Sequence, residues 1–260
     1  MSLFDLTGKV AVVTGSTRGI GRAIAERMAE HGAKVVISSR KGDVCETVAQ
    51  EIRDKGREAV AIPCHVAHKD QLTALVERTI AHWGGIDILV GNAAVNPYLG
   101  PAAGASDEVY ERVMGANVRS NFWLANMVCP QMAARGGGSF IVISSIGGFR
   151  GTASLGLYGI SKAADMQLTR NIAVEWGPKN VRANCIAPGL VRTDFARALW
   201  EDPVRYRKTT RDNPLQRIGE PDEIAGAAVF LASPAGSFVT GHTLVVAGGT
   251  MAGTVLQKDD

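Results

Sequence analysis

Tyr158 and Lys162 stand four residues apart, a spacing that on a helix puts both side chains on one face. A free phenol titrates near pH ~10 and exchanges protons poorly at neutrality, but an adjacent ammonium, or any other positive charge, favours its ionised form. A tyrosine so placed can donate a proton to a carbonyl oxygen during reduction, or remove one from an alcohol during oxidation. A second constellation lies near the N-terminus, where Thr14-Gly15-Ser16-Thr17-Arg18-Gly19-Ile20-Gly21 follows an apolar run and precedes a helical pattern. Glycines after a strand let the backbone approach an anion, and the free amides of a helix N-terminus point at it, so this segment is a candidate pyrophosphate cradle.

The elements that must position these residues are legible as alternating patterns. Short β-branched runs at 10–13, 34–38, 59–63, 88–90, 139–144, 181–187 and 243–246 predict seven strands. Apolar residues at three- and four-residue spacing over 23–30, 69–82, 106–134 and 163–176 predict amphipathic helices between them. Strand and helix in alternation mean an α/β fold: a doubly wound, Rossmann-type parallel sheet of seven strands with helices on both faces, in one domain spanning 1–260. Boundary residues agree. Ser106-Asp107-Glu108 starts a helix with a cap and acids, Gly177-Pro178 stops one, and Pro221 suits a first helical turn. The stretch 189–215 is long, charged and aromatic, and predicts a substrate lid at 190–215. Within it Phe195, Leu199, Trp200 and Tyr206 offer an apolar face and Arg197, Glu201, Asp202 and Arg205 a solvated one.

The second predicted strand ends Val36-Ile37-Ser38-Ser39-Arg40-Lys41. A dinucleotide site for NAD(H) places a carboxylate there for the ribose 2′-hydroxyl, whereas a 2′-phosphate needs a cation instead. Ser39 takes the acid's place, Arg40 follows it, and Arg18 in the glycine turn approaches the same position, which favours NADP(H).

The G-x-x-x-G-x-G spacing of the turn, with its leading threonine, resembles the short-chain dehydrogenase/reductase family. The likeness extends along almost the whole chain through Gly91-Asn92-Ala93-Ala94, Asn117, Ser144-Ser145, Tyr158-Gly-Ile-Ser-Lys162 and Pro188-Gly189-Leu190-Val191-Arg192-Thr193. It implies a catalytic tetrad of Asn117, Ser145, Tyr158 and Lys162. In that scheme Ser145 holds the substrate oxygen, Lys162 bonds the nicotinamide ribose, and Asn117 supports a water that relays protons through the lysine. It implies cofactor contacts from Gly15, Thr17, Arg18, Gly19, Ile20, Gly21, Ser39, Arg40, the Val66 backbone, Tyr158, Lys162, Pro188, Gly189, Val191 and Thr193, the last to the carboxamide. Asn92 is structural support for the pocket. Two positions depart from the family pattern: His65 stands where an aspartate usually meets adenine, and Gly91-Asn92-Ala93-Ala94 replaces Asn-Asn-Ala-Gly. Within the family the chain is most similar to NADP-dependent carbonyl and retinal reductases, implying reversible hydride transfer between NADP(H) and a ketone or aldehyde. A 3-oxoacyl-[acyl-carrier-protein] reductase is the enzymatic alternative. A cofactor-binding regulator is the non-catalytic one, and its mark would be a broken tetrad. The resemblance also implies a homotetramer.

Composition excludes other classes. The charge of +3 is spread without a basic block, so no nucleic-acid or membrane partner is expected. The substrate should be a small carbonyl or alcohol. No apolar run reaches membrane-spanning length and no signal-like segment opens the chain, so a cytoplasmic protein is expected. Cys45, Cys64, Cys129 and Cys185 are scattered, as suits reduced thiols. Cys64, His65 and His68 fall short of the four ligands of a tetrahedral site, and no metal is expected.

Overall fold

The β-branched runs form β1 (Val10–Thr14), β2 (Lys34–Ser38), β3 (Ala59–Ala61), β4 (Ile88–Gly91), β5 (Gly138–Ile143), β6 (Val181–Pro188) and β7 (Thr243–Val246). All pair in parallel, in the order β3-β2-β1-β4-β5-β6-β7. Between them run α1 (Gly19–Glu30), α2 (Gly42–Asp54), α3 (Lys69–Trp83), α4 (Asp107–Met114), α5 (Ser120–Ala134), α6 (Gly156–Trp176), α7 (Arg197–Trp200), α8 (Pro203–Arg211) and α9 (Pro221–Ala232). The computed structural model describes residues 2–211 and 213–253, without the side chains of Arg205, Lys208 and Thr209. The solvated role expected of Arg205 therefore lies outside the described side chains.

The sheet separates two apolar layers, which is why its strands read as continuous hydrophobic runs rather than alternating ones. On one face Ile24 and Met28 of α1, Val48 and Ile52 of α2 and Ile224 of α9 pack against Val13, Val35 and Ile141. On the other, Leu72 of α3, Leu124 and Val128 of α5 and Ile172 of α6 pack against Val12, Leu89 and Phe140. Each such side chain, once buried, contributes about 1.5–3 kcal/mol over its exposed state.

Two features aim the site. The chain winds outward from β1 in one direction and from β4 in the other, so a crevice opens beyond their C-terminal ends, where such sheets bind ligands. The helical pattern over 106–134 is realised as α4, a π turn at Gly115–Arg119, and α5. Ser106 caps its start, its Oγ accepting from Val109 N at 3.3 Å. The π turn holds Asn117, and such turns cluster at functional sites because the widened ring re-aims one side chain without ending the helix.

Candidate active site

The glycine turn is built to lie flat against the strand ends. Gly15 and Gly19 take φ of +67° and +54°, which side-chain-bearing residues rarely adopt. At Gly21 a Cβ would fall 2.4 Å from Asn92 Nδ2 and 2.5 Å from the Gly15 carbonyl oxygen. Asn92 is the clasp: its Nδ2 donates to the carbonyls of Thr14 at 2.8 Å and Gly15 at 3.2 Å. Thr14 Oγ1 in turn accepts from Asn92 N at 3.0 Å and Ala93 N at 3.1 Å. Arg18, at the N-cap of α1, makes no side-chain capping bond, which leaves the first amides of the helix facing the crevice. Ile20 and Thr17 are half-buried beside it.

Thr14 pairs with Ser38 across β1 and β2, so Arg18 and Arg40 emerge from adjacent strand ends. Both are exposed and have no carboxylate partner among the described residues. Ser39 is half-buried, with its hydroxyl 3.3 Å from Cys45 Sγ of α2 and its amide donating to that sulfur at 3.1 Å. His65 donates its backbone N–H to Gln71 Oε1 at 2.8 Å. Its imidazole is held below the ordinary histidine range by burial first, then by His68 and Arg40. Val66 beside it is half-buried. Among the described residues no cluster suited to a metal ion occurs, Cys64, His65 and His68 included.

Tyr158 and Lys162 lie in the first two turns of α6 with Lys162 Nζ 5.7 Å from the Tyr158 ring centroid. Tyr158 is half-buried, and its hydroxyl has no hydrogen-bond partner among the described residues. Lys162 is 2% exposed and donates to the Ile143 carbonyl at 2.9 Å and to Asp165 Oδ2 at 3.1 Å. The two serines after β5 divide: Ser144 is buried and donates to the Lys162 carbonyl at 2.8 Å, whereas Ser145 is half-exposed and its Oγ accepts only from Gly147 N at 3.1 Å. The Ser145 turn presses closely on α6; a Cβ at Gly159 would lie 2.8 Å from the Gly147 carbonyl. Asn117 is fully buried and faces Val95, accepting from its N–H at 2.8 Å and donating to its carbonyl at 3.0 Å. It also donates to Ser161 Oγ at 3.0 Å, and Ser161 Oγ donates to the Tyr158 carbonyl at 2.7 Å. Asn117 thus reaches the tyrosine through the backbone of α6, a link that the serine inside the Tyr-Lys spacing offered and the sequence reading missed.

The segment after β6 closes the crevice. A Cβ at Gly189 would lie 3.0 Å from Ala247, and a Cβ at Gly19 would lie 3.2 Å from Thr193 Cγ2, so Thr193 stands directly over the glycine turn. Pro188 ends β6 and Val191 is buried. The stretch beyond is not a bare loop but a 3-10 turn at Asp194–Ala196 followed by α7 and α8. Phe195 is 55% exposed yet its ring centroid is 6.3 Å from that of Tyr158. Trp200 donates from Nε1 to the Thr193 carbonyl at 3.0 Å, with the Arg192 guanidinium 5.2 Å from its ring. Of the four aromatic and apolar residues expected on the lid, Phe195 faces the tyrosine and Trp200 ties α7 back to Thr193.

A family model described as "Enoyl-(Acyl carrier protein) reductase" matches residues 15–251. Dehydrogenase/reductase SDR family member 4 of Bos taurus is 44% identical over 246 residues, covering 95% of this chain and 88% of the relative. The chain belongs to the short-chain dehydrogenase/reductase family. Its solved neighbours include a gluconate 5-dehydrogenase from Burkholderia cenocepacia in complex with NADP and tartrate, at TM-score 0.93 and 35% identity over 97% of this chain and 98% of that one. A 7α-hydroxysteroid dehydrogenase with NADH and 7-oxo glycochenodeoxycholic acid superposes at TM-score 0.91, with 38% identity over 95% and 96%. As an oxidoreductase of this short-chain family, the protein carries the Rossmann-like domain of its neighbours. Those neighbours bind nicotinamide nucleotides of both kinds, so membership alone does not choose between them. No helix among the described residues is long and apolar enough to cross a membrane.

Proposed function

We propose that this short-chain dehydrogenase/reductase transfers hydride between NADP(H) and a ketone or aldehyde, with Tyr158 as the general acid or base. The observation that carries the reading is Tyr158, half-buried and with no hydrogen-bond partner for its hydroxyl among the described residues, whose ring centroid lies 5.7 Å from the buried Lys162 ammonium. The nucleotide suits the crevice: the backbone at Gly21 leaves no room for a side chain, the α1 amides are uncapped, and Arg18 and Arg40 have no carboxylate partner among the described residues. When bound, NADPH supplies the hydride and NADP⁺ accepts it. Gly15, Thr17, Gly19, Ile20 and Gly21 line the pyrophosphate, Ser39, Arg18 and Arg40 take the 2′-phosphate, and Val66 and Asn92 border the adenine side and the floor. Pro188, Gly189, Val191 and Thr193 border the nicotinamide.

Ser145 fixes the carbonyl oxygen, and Tyr158 gives it a proton as the carbon is reduced or removes one from an alcohol in the reverse direction. Lys162 serves the ribose and keeps its ammonium 5.7 Å from the Tyr158 ring, and Asn117 secures the tyrosine's turn of α6. Phe195 and the α7–α8 segment form a lid that excludes water from the reacting carbonyl. The protein is a homotetramer through α5 and α6, a reading supported by Phe122 and Val174, 50% and 79% exposed on those helices. A cytoplasmic location is supported by the cysteines, all four of them free and buried.

An NADPH-oxidation screen over diketones, quinones, aldehydes, retinoids and 3-oxoacyl thioesters tests the activity and the substrate class together. Carbonyl-dependent consumption of NADPH is expected. Tight NADPH binding without consumption across the panel would return the protein to the class of cofactor-binding regulators.

A further inference from the structure

One buried ionisable group bonded to Lys162 is not used by the proposed reaction. Asp165, three residues after Lys162 on α6, is fully buried, and its Oδ2 accepts from Lys162 Nζ at 3.1 Å. Its other oxygen accepts from Asn121 Nδ2 of α5 at 3.0 Å, and the same amide nitrogen donates to the Asn117 carbonyl at 2.8 Å. The amide has its seat because residue 91 is glycine: a Cβ there would stand 2.2 Å from Asn121 Oδ1. The departure from Asn-Asn-Ala-Gly at Gly91 and the pair Asn121–Asp165 are therefore one arrangement.

A buried ammonium is costly unless it is paired, and so is a buried carboxylate. An ammonium also has three protons to place. Two of them point inward, to the Ile143 carbonyl and to Asp165, which leaves one for the crevice. We propose that Asp165 is a positioning residue for the hydride-transfer site: it is the fixed counter-ion that keeps Lys162 charged and aimed, and Asn121 holds it in turn. This rests on the reading in which Lys162 bonds the cofactor ribose beside Tyr158.

The surroundings make the carboxylate decisive. Burial pulls the Lys162 ammonium down, and Asp165, with a smaller contribution from Tyr158, more than offsets it, so the lysine ends above its ordinary range. Burial pushes Asp165 up, while Lys162 and Asn121 draw it back. On β6 the Cys185 thiol is pushed up to about 12 by burial and stays neutral, and Arg170, further along α6, bears on that thiol. Among the described residues, the polar groups that the π turn, α5 and the end of β5 bond into this cluster are the uncharged ones of Asn117, Asn121, Ile143 and Ser144. Among these groups Asp165 supplies the carboxylate that meets the Lys162 ammonium directly.

The test is NADPH binding by fluorescence titration of the full-length protein from pH ~6 to ~10, comparing Asp165→Asn with the wild type. At the acid end the lysine is charged in both, and the two affinities should agree within about threefold; at the alkaline end the variant should bind about tenfold or more weakly relative to wild type. Asp165→Glu restores the charge and should restore the wild-type pH response. A ratio between variant and wild type that is constant across the range would overturn the proposal, since that is what a structural defect alone produces. Should Asp165→Asn fail to fold, the wild type decides by NMR. With 15N-labelled lysine, the Lys162 ammonium resonance, assigned by its loss in Lys162→Arg, should persist to a pH at least as high as that of an exposed lysine, and deprotonation below the exposed lysines' range would overturn the proposal. Both readouts stand apart from turnover, so an inactive carbonyl panel would remove the hydride-transfer reading without deciding the role of Asp165.

Discussion

Exchanging Ser39→Asp and Arg40→Leu together should invert the coenzyme preference, and its size follows from the strand ends. Thr14 and Ser38 are paired, so Arg18 and Arg40 reach the same place from neighbouring strands, both exposed. A charge-assisted hydrogen bond contributes about 1.5–3 kcal/mol when shielded, but exposed guanidiniums are screened and are assigned about 1 kcal/mol each. Two arginines thus give about 2 kcal/mol, or roughly 30-fold tighter binding of NADPH than of NADH by the wild type. The double variant removes one of the two cations and puts a carboxylate where Ser39 Oγ now lies 3.3 Å from Cys45 Sγ. That carboxylate repels a 2′-phosphate and accepts from a free 2′-hydroxyl. Fluorescence titrations with both nucleotides at ionic strengths of about 0.05 and 0.3 M check this, because a screened contact must weaken with salt. A wild type that binds NADH more tightly, or a preference insensitive to salt, would refute the assignment of Arg18 and Arg40.

Gly21→Ala puts a methyl group 2.4 Å from Asn92 Nδ2 and 2.5 Å from the Gly15 carbonyl, a backbone neighbour that cannot step aside. Overpacking of that kind costs about 1–3 kcal/mol, or a fall in Tm of roughly 4–8 °C at 2 kcal/mol, and a thermal melt reads it. Phe195→Ala should change the ranking of bulky against small carbonyls in well-folded protein, given its ring contact with Tyr158, and an unchanged ranking of kcat/KM removes the lid. The third perturbation is acid. Arg217 and the backbone bond of Glu220 hold Glu223 down to about 2, so its contribution to stability is present above the ordinary carboxylate range and is lost as pH falls from the unfolded value of 4.5 toward about 2. Arg217→Met should make the decline of Tm across that window shallower, and an unaltered slope would assign the acid sensitivity to other groups.

The sheet was legible because its inner strands are buried on both faces and so had to be written in apolar, largely β-branched residues, as in Val10–Thr14 and Lys34–Ser38. The glycine turn and the Tyr158–Lys162 spacing were legible because their chemistry is local in sequence. What escaped is non-local. An asparagine in a π turn has the same helical periodicity as one in an α turn, so the 106–134 pattern gave no sign that the helix opens at Asn117. The Asp165–Asn121 pair joins two helices across 44 residues of sequence, so no local pattern announces it. Gly91 stood out as a departure, yet its cause lies in Asn121, thirty residues along the chain and on another element. The choice of Ser145 over Ser144 was implied by the family likeness, and its physical reason is non-local: the Ser144 hydroxyl is taken up by the Lys162 carbonyl on α6.

Tyr158→Phe tests the central claim most directly, because it deletes a hydroxyl that has no hydrogen-bond partner among the described residues and leaves the ring beside Lys162 and Phe195. Removal of a positioned general acid or base costs a factor of about 100 to 10,000 in turnover. The variant should therefore bind NADPH within about twofold of wild type while carbonyl-dependent NADPH oxidation falls by about 100-fold or more. Turnover comparable to the wild type, at unaltered NADPH affinity, would contradict the account.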